Sequence, residues 1–286
     1  MNSMDPAKPD IILIVSDDIN LNIMNQSSCP HIKGLMNQGL SFSQAYNYGG
    51  STGAVCKSSR LQMLYGKPWD RMNTARDPFP KILRDHGYET FATGKWHSGQ
   101  GLFDDCFSHW ESVFFGGMMN GKSTISKPSN GESSQLGLRK PGGVFSQSLM
   151  KYIQSKKQDD SPYFAYIGFT EPHDPLREIK PFSQVNQARL PANFKPDHPF
   201  SFGYRKHRDE KLMKRPLQKK VLLRRIHKYM TMISYLDKCV GNILESITRP
   251  TIVIFTTDNG LNMGSHGLLG KQNLYQESIH VPLSIS

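Results

Sequence analysis

Two acidic pairs and a scattered basic set carry the chemistry open to this sequence. Asp17 and Asp18 close one apolar run, and Asp258 and Asn259 close another. Their side chains offer the carboxylate and amide oxygens that hard cations prefer, calcium first and magnesium as the smaller alternative. Either pair alone is ordinary, because aspartate commonly ends strands and caps helices. Two pairs at equivalent strand ends are what point to a metal. The basic set comprises Lys95 and His97 in TGKWHSG, His173 in TEPHDP and Lys271 in HGLLGKQ. One such histidine is more often structural than catalytic. Together, on loops that follow strands, these residues predict a pocket for a small oxyanion in which histidine moves a proton. Gly94 and Gly270 precede the two lysines and let the backbone approach closely there. Lys271 is read as an exposed cleft residue that contributes little to folding.

Such residues need a scaffold that brings several strand ends to one edge. Apolar runs alternate with segments of helical period, the pattern of an α/β sheet layered with helices. Strands are predicted at 11–16, 89–93, 163–169 and 251–256, and helices at 30–38, 56–65, 78–86, 145–157 and 217–247. The longest helix shows Leu222, Ile226, Tyr229, Ile233, Leu236, Val240 and Leu244 at spacings of three and four. Residues 116–143, rich in Gly, Ser, Lys and Pro, read as a long loop, and 170–210 as an extended excursion. Three strands thus deliver Asp17-Asp18, His173 and Asp258-Asn259 at their C-terminal ends, the edge where open α/β sheets bind ligands. No internal repeat is visible.

A chain of 286 residues suits one large domain, here 1–286. No apolar run approaches the ~20 residues needed to span a bilayer. The opening MNSMDPAKPD lacks the apolar core of a signal peptide. The expectation is therefore a cytoplasmic protein as written, or a periplasmic or secreted one if the N-terminus is incomplete. Cys29, Cys56, Cys106 and Cys239 form no CxxC pair, which argues against a zinc cluster or a disulfide framework. Isolated cysteines are usually buried small hydrophobes. Cys56, at a predicted helix start beside Lys57 and Arg60, is expected to have a lowered pKa and to react readily. The formal charge of +11 favours anionic partners. Much of it lies in 205–228, which lacks internal aromatics to stack on bases, so a solvated basic helix face is preferred to nucleic-acid binding.

In these blocks the chain resembles the sulfatase family, within the alkaline-phosphatase-like superfamily. PDIILIVSDD resembles the family's opening strand and metal-binding aspartates, and AVCKSSRLQMLYGK its Cys-x-Pro-Ser-Arg signature with the following Thr-Gly-Arg. FATGKWHSG is similar to the second signature; FTEPHDP, IFTTDNG and HGLLGKQNLYQESIHVPL follow in family order. The resemblance implies a mostly parallel central sheet flanked by helices, with the smaller C-terminal subdomain of the family absent from this chain. It further implies that a maturation enzyme oxidises Cys56 to formylglycine, whose hydrate is the nucleophile. Asp17, Asp18, Asp258 and Asn259 would hold calcium, with residue 56 and the sulfate completing its shell. Arg60 would stabilise the hydrated aldehyde. Lys95, His173 and Lys271 would grip the sulfate, and His97 would take a proton from the second hydroxyl.

The chemistry fits the substrate class. A sulfate ester is anionic and repels nucleophiles, so a divalent cation with several lysines and histidines must offset its charge. A geminal diol has one hydroxyl to attack and another to discharge the covalent intermediate, which a thiol or serine lacks. Three departures stand out. Ser58 replaces the signature's proline, a position that helps maturation enzymes recognise the site; Tyr65-Gly66-Lys67 replaces Thr-Gly-Arg; and the chain stops at VPLSIS. The leading expectation is a sulfatase acting on a sulfated carbohydrate, such as a polysaccharide, or on a similar sulfate ester. A phosphonate or phosphate ester hydrolase of the same superfamily, or an inactive anion-binding pseudosulfatase, are the alternatives.

Overall fold

In the first strand, Ile12 and Ile14 pack on one side while Leu13 and Val15 pack on the other, all but fully buried. A strand apolar on both faces must lie inside a sheet covered by helices on both sides. The computed structural model describes residues 8–286 apart from 52, 75, 120–122, 127–132, 136–139, 184–186 and 201–202. Its elements begin with β1 (Asp10–Ser16), α1 (Leu21–Gln26), α2 (Pro30–Gln38), β2 (Leu40–Ser41) and α3 (Cys56–Tyr65). There follow α4 (Phe79–Asp85), β3 (Glu89–Lys95), α5 (Gln100–Cys106), β4 (His109–Phe114), β5 (Thr124–Ser126) and β6 (Ser133–Gln135). The chain continues through α6 (Pro141–Ser155), β7 (Tyr163–Gly168), α7 (Lys219–Ser246), β8 (Thr251–Thr257), α8 (Gln276–Ile279) and β9 (Leu283–Ile285).

The strands form one sheet in the order β2-β9-β8-β1-β7-β3-β4-β5-β6. Its centre, β8-β1-β7-β3-β4, is parallel throughout, and the pairings outside it are antiparallel. One face packs beneath α1, α2, α6 and α7, the other beneath α3, α4 and α5 around Trp96 and Phe103. Every central strand therefore points its C-terminal end to the same edge. No described helix is long and apolar enough to cross a membrane.

The helices at 30–38 and 56–65 fall where their sequence places them. Other expectations need correction. The stretch 116–143 is not a simple loop, since β5, β6 and the first turn of α6 fall within it, while 120–122, 127–132 and 136–139 lie outside the described residues. The excursion 170–210 holds short 3-10 turns at Lys180–Phe182 and Tyr204–Lys206, and a third begins at Asp209. The basic run 205–228 is not one solvated helix face. Its first half precedes α7, Arg215 turns inward to pair with Glu210, and Arg208, itself half exposed, reaches the buried Asp174.

Candidate active site

Register brings the acidic pairs together. Ser16 lies opposite Thr257 in the parallel pairing of β1 with β8, so the next residues, Asp17 and Asp258, leave neighbouring strands side by side. Asp18 then turns into the left-handed region at φ 68°, a conformation that aspartate tolerates better than most residues and that recurs at functional sites. Its backbone N–H donates to Asp258 Oδ1 at 3.1 Å. Asn259 donates through Nδ2 to Asp18 Oδ1 and to Asp258 Oδ1, both at 3.1 Å.

Helix α3 supplies two residues from one face. Cys56 and Arg60 are one turn apart and both are buried, while Lys57 between them is exposed. Cys56 Sγ lies 3.4 Å from Asp17 Oδ1 and 3.6 Å from Asn259 Nδ2. Arg60 Nε donates to Asp258 Oδ2 at 2.8 Å, and its Nη1 donates to the Lys95 carbonyl and to Tyr166 Oη at 3.0 and 2.7 Å. Ser58 stands in the first turn, where its N–H has no intrahelical acceptor, the first α3 bond running from Ser59 N to Val55 O. A proline fits such a position as well as a serine does, so the departure from the signature costs the fold nothing.

Two lysines enter the cluster. Lys95, the last residue of β3 and fully buried, donates to Asp17 Oδ2 at 2.5 Å. It reaches that position where β3 and β7 are pinched together: a Cβ on Gly94 would lie 2.0 Å from the Gly168 carbonyl oxygen. Lys271 Nζ contacts Asp18 Oδ1 at 2.5 Å and Cys56 Sγ at 2.7 Å. At 7% exposure it is an interior residue, not the exposed cleft lysine expected, because the 260–271 turn folds over the sheet edge. His173 Nδ1 faces the Asp174 carbonyl at 2.8 Å, which leaves Nε2 toward Asp18 Oδ2 at 3.5 Å. Among the described residues no hydrogen bond ties His97 to this network. It sits beside it at φ 61°, its ring against Gly117. Burial, then the charges of Lys95 and Arg60, bring its pKa down to about 4.

Burial works against every charge here, and the partners decide the outcome. It would raise the Asp17 carboxyl, but Lys95 and His173 hold that group below the usual carboxylate range. Burial would lower Lys95 and Lys271, yet Asp17 and Asp18 respectively push them up. Cys56 goes the other way. Burial, then the neighbouring Asp17 and Asp258 carboxylates, push its thiol well up despite Lys271 and Lys95. The reactive thiol expected from a helix start beside Lys57 and Arg60 is thus corrected: Lys57 points away, Arg60 is spent on Asp258, and carboxylates surround the sulfur.

The donor set fits a hard divalent cation. Asp17, Asp18, Cys56 and His173 each present a ligand atom within 4.8 Å of one another, with Asp258 and Asn259 against the same atoms. Asp18 Oδ2 is buried and accepts no hydrogen bond among the described residues. Such an orphaned carboxylate oxygen is costly unless a cation faces it. Asn259 could join through Oδ1 only if its amide turned over, since Asn47 Nδ2 now donates to that oxygen at 2.9 Å.

The comparisons with known proteins bear on this arrangement. The sulfatase profile matches residues 9–285. The chain belongs to the sulfatase family. It is 24% identical to iduronate 2-sulfatase from Homo sapiens, over 96% of this chain and 58% of that relative. Its fold is similar to that of a protein solved in complex with its substrate D-glucosamine-2-N,6-O-disulfate (TM-score 0.74, 19% identity, 97% of this chain, 71% of the other). It is nearly as similar to the phosphonate monoester hydrolase of Agrobacterium radiobacter (TM-score 0.71, 17% identity, 97% and 68%). At these identities the two structures show a shared fold. The chain spans 58% of the length of its human relative.

Sequence reasoning overlooked the residues that hold this candidate site from behind. Asn47 donates to the Asp258 carbonyl at 2.8 Å, and Tyr166 Oη to the Lys95 carbonyl at 2.9 Å. Tyr229, buried in α7, donates to the Asp18 carbonyl and accepts from Asn20 N. Asn47 lies in no motif, and both tyrosines look like ordinary core positions. The only available signal was their polar tip in an otherwise apolar environment.

Proposed function

We propose that this chain carries the catalytic machinery of a sulfuric ester hydrolase that attacks through residue 56, matured to formylglycine by a dedicated enzyme. The observation that carries the reading is the position of Cys56 Sγ, 3.4 Å from Asp17 Oδ1 and 2.7 Å from Lys271 Nζ, between a cation-type carboxylate set and an oxyanion-type ammonium. An aldehyde hydrate at this position supplies one hydroxyl for attack on sulfur and a second through which the residue is regenerated. Calcium, or magnesium in its place, would be held by Asp17, Asp18, Asp258 and Asn259 and would supply positive charge opposite the sulfate oxygens.

The side chains divide the remaining work. Lys95 and Lys271 stand where they can hold sulfate oxygens, in an interior where each contact is strong because water is excluded. His173, with Nδ1 committed to Asp174, keeps Nε2 facing the cluster to donate a proton to the departing alcohol oxygen. His97, neutral above a pH of about 4, is in the form required to accept a proton from residue 56. The bonds of Arg60 to Asp258, the Lys95 carbonyl and Tyr166 support a positioning role for it.

A sulfated carbohydrate is the proposed substrate class. The net charge of +11 and the sulfated-sugar ligand of the structural relative support it. The second reading, phosphonate ester hydrolysis, is favoured by a fold likeness of almost equal TM-score. The test is kcat/KM for nitrophenyl sulfate against the nitrophenyl ester of phenylphosphonate, followed by a panel of sulfated monosaccharides. Preference for the sulfate supports the proposal, and preference for the phosphonate replaces it.

A further inference from the structure

We infer that the segment between Arg208 and Arg215 is a clasp that sets the spacing of His173 and Lys271, so that Arg208, Glu210 and Arg215 are positioning residues for the proposed reaction. The inference rests on the hydrolase reading and extends it to residues that touch none of the reacting atoms. His173 and Lys271 reach the cluster from separate loops, one after β7 and one after β8. The loop after β8 is bridged to the excursion at Phe194–Ser265, and Gln272 N donates to the Ala54 carbonyl, but among the described residues neither loop lies in a strand at His173 or Lys271.

Each arm of the clasp grips one loop. Arg208 pairs with both carboxylate oxygens of Asp174, Nη1 to Oδ1 at 3.1 Å and Nη2 to Oδ2. Asp174 is the residue whose carbonyl orients His173. Such a two-pronged guanidinium–carboxylate contact fixes direction as well as distance. Glu210 holds the other loop. Its Oε1 accepts the backbone N–H groups of Leu269 and Gly270 at 3.0 and 2.8 Å, immediately before Lys271. Arg215 locks that carboxylate by pairing with Glu210 Oε2 and donating to the Gly267 carbonyl. Asp209, between the two arms, packs so close that a Cβ on Gly270 would lie 2.4 Å from its own.

The carboxylates of the clasp and Arg215 are buried or nearly so, whereas the Arg208 side chain is 47% exposed. Asp174, Asp209 and Glu210 are 6–7% exposed, and Arg225 at the start of α7 adds a third guanidinium within electrostatic reach of all three carboxylates. Because the carboxylates themselves are buried, removing the guanidinium paired with one of them leaves its charge uncompensated. The excursion between β7 and α7 therefore does more than connect: its short turns place opposite charges against two loops at once.

The experiment uses the matured protein and four variants, Glu210→Gln, Arg208→Met, Arg208→Lys and Arg249→Met. Arg249 pairs with Asp10 at the far edge of the sheet and controls for loss of stability alone. With nitrophenyl sulfate, Glu210→Gln and Arg208→Met are expected to lower kcat by about 10- to 100-fold with little change in KM, the signature of misplaced transition-state contacts. Arg208→Lys recovers part of the loss, and Arg249→Met lowers the melting temperature but keeps kcat. Hydrogen exchange at the Leu269 and Gly270 amides is expected to speed up in Glu210→Gln and not in Arg249→Met. An active wild type with kcat unchanged in both clasp variants overturns the clasp alone. Equal loss of kcat in Arg249→Met overturns it as well, and a wild type inert toward all sulfate esters overturns the hydrolase reading first.

Discussion

At the N-terminal end of β1, Asp10 is buried and fully matched: its Oδ1 accepts from Tyr163 N at 3.1 Å and Arg249 Nη2 at 2.8 Å, and its Oδ2 from Arg249 Nε. At the C-terminal end, Asp18 is also buried, but its Oδ2, 3.5 Å from His173 Nε2, accepts no hydrogen bond among the described residues, and its Oδ1 is shared by Lys271 and Asn259. The two aspartates cap the same strand in the same sheet. One spends its charge on a guanidinium and stops there. The other belongs to a crowd of carboxylates, ammonium groups and a cysteine whose demands are not all met among the described residues. Matched burial builds structure, whereas burial with an oxygen left over is what a bound cation or a reacting group requires.

The largest effect that sharpens this contrast is loss of the nucleophile. Cys56→Ala is expected to lower kcat for an aryl sulfate by about 1000-fold or more while the melting temperature stays near wild type, because a small buried side chain replaces another. Steady-state assays beside thermal melts check it. Next comes Lys271→Ala, expected to lower kcat by about 100-fold and also to destabilise the fold by about 3 kcal/mol, since it strips a buried partner from Asp18. Chemical denaturation reads the second number.

Metal linkage gives the third expectation. Calcium should raise the melting temperature of the wild type, a chelator should reverse it, and Asp18→Asn should abolish the shift, as expected when a ligand binds only the folded state. At the other end of β1, Arg249→Met is expected to cost about 2–3 kcal/mol by leaving Asp10 uncompensated, with kcat unchanged. A kcat loss there would break the distinction between the two ends. Smallest of all, Lys81→Ala, which removes exposed pairs with Asp77 and Asp85 on α4, should leave both melting and turnover unchanged.

The contrast between the ends of β1 also marks what could be read from sequence. Runs such as IILIVS and YFAYIGF announce parallel strands because both their faces are covered, and the polar residues ending them stand out against that background. Strand β4, HWESVF, mixes polar and apolar residues and gave no such signal, and α1 and α5, six and seven residues long, are too short to establish a helical period. Within the site, Asp17, Asp18, Asp258 and Asn259 were legible as strand ends, and Cys56 with Arg60 through a recognisable motif. The behaviour of Cys56 and Lys271 was misread for one reason. Their environment is made by side chains from β1, β3 and β8 that lie up to hundreds of residues away, and local charge does not report it. Glu210 and Arg208 were hidden inside a basic run that looked like a solvated face, because ion pairing across loops leaves no periodic trace.

The central claim is that residue 56, once matured, is the point of attack within a cation-binding carboxylate cluster. It is tested most directly by preparing the protein with graded conversion of Cys56, quantifying the aldehyde by peptide mass spectrometry, and measuring nitrophenyl sulfate hydrolysis with saturating calcium on the same samples. The account predicts that kcat rises in proportion to the aldehyde fraction and extrapolates to zero for unconverted protein. Turnover that is independent of conversion, or no hydrolysis of any sulfate ester by fully converted protein, would contradict it.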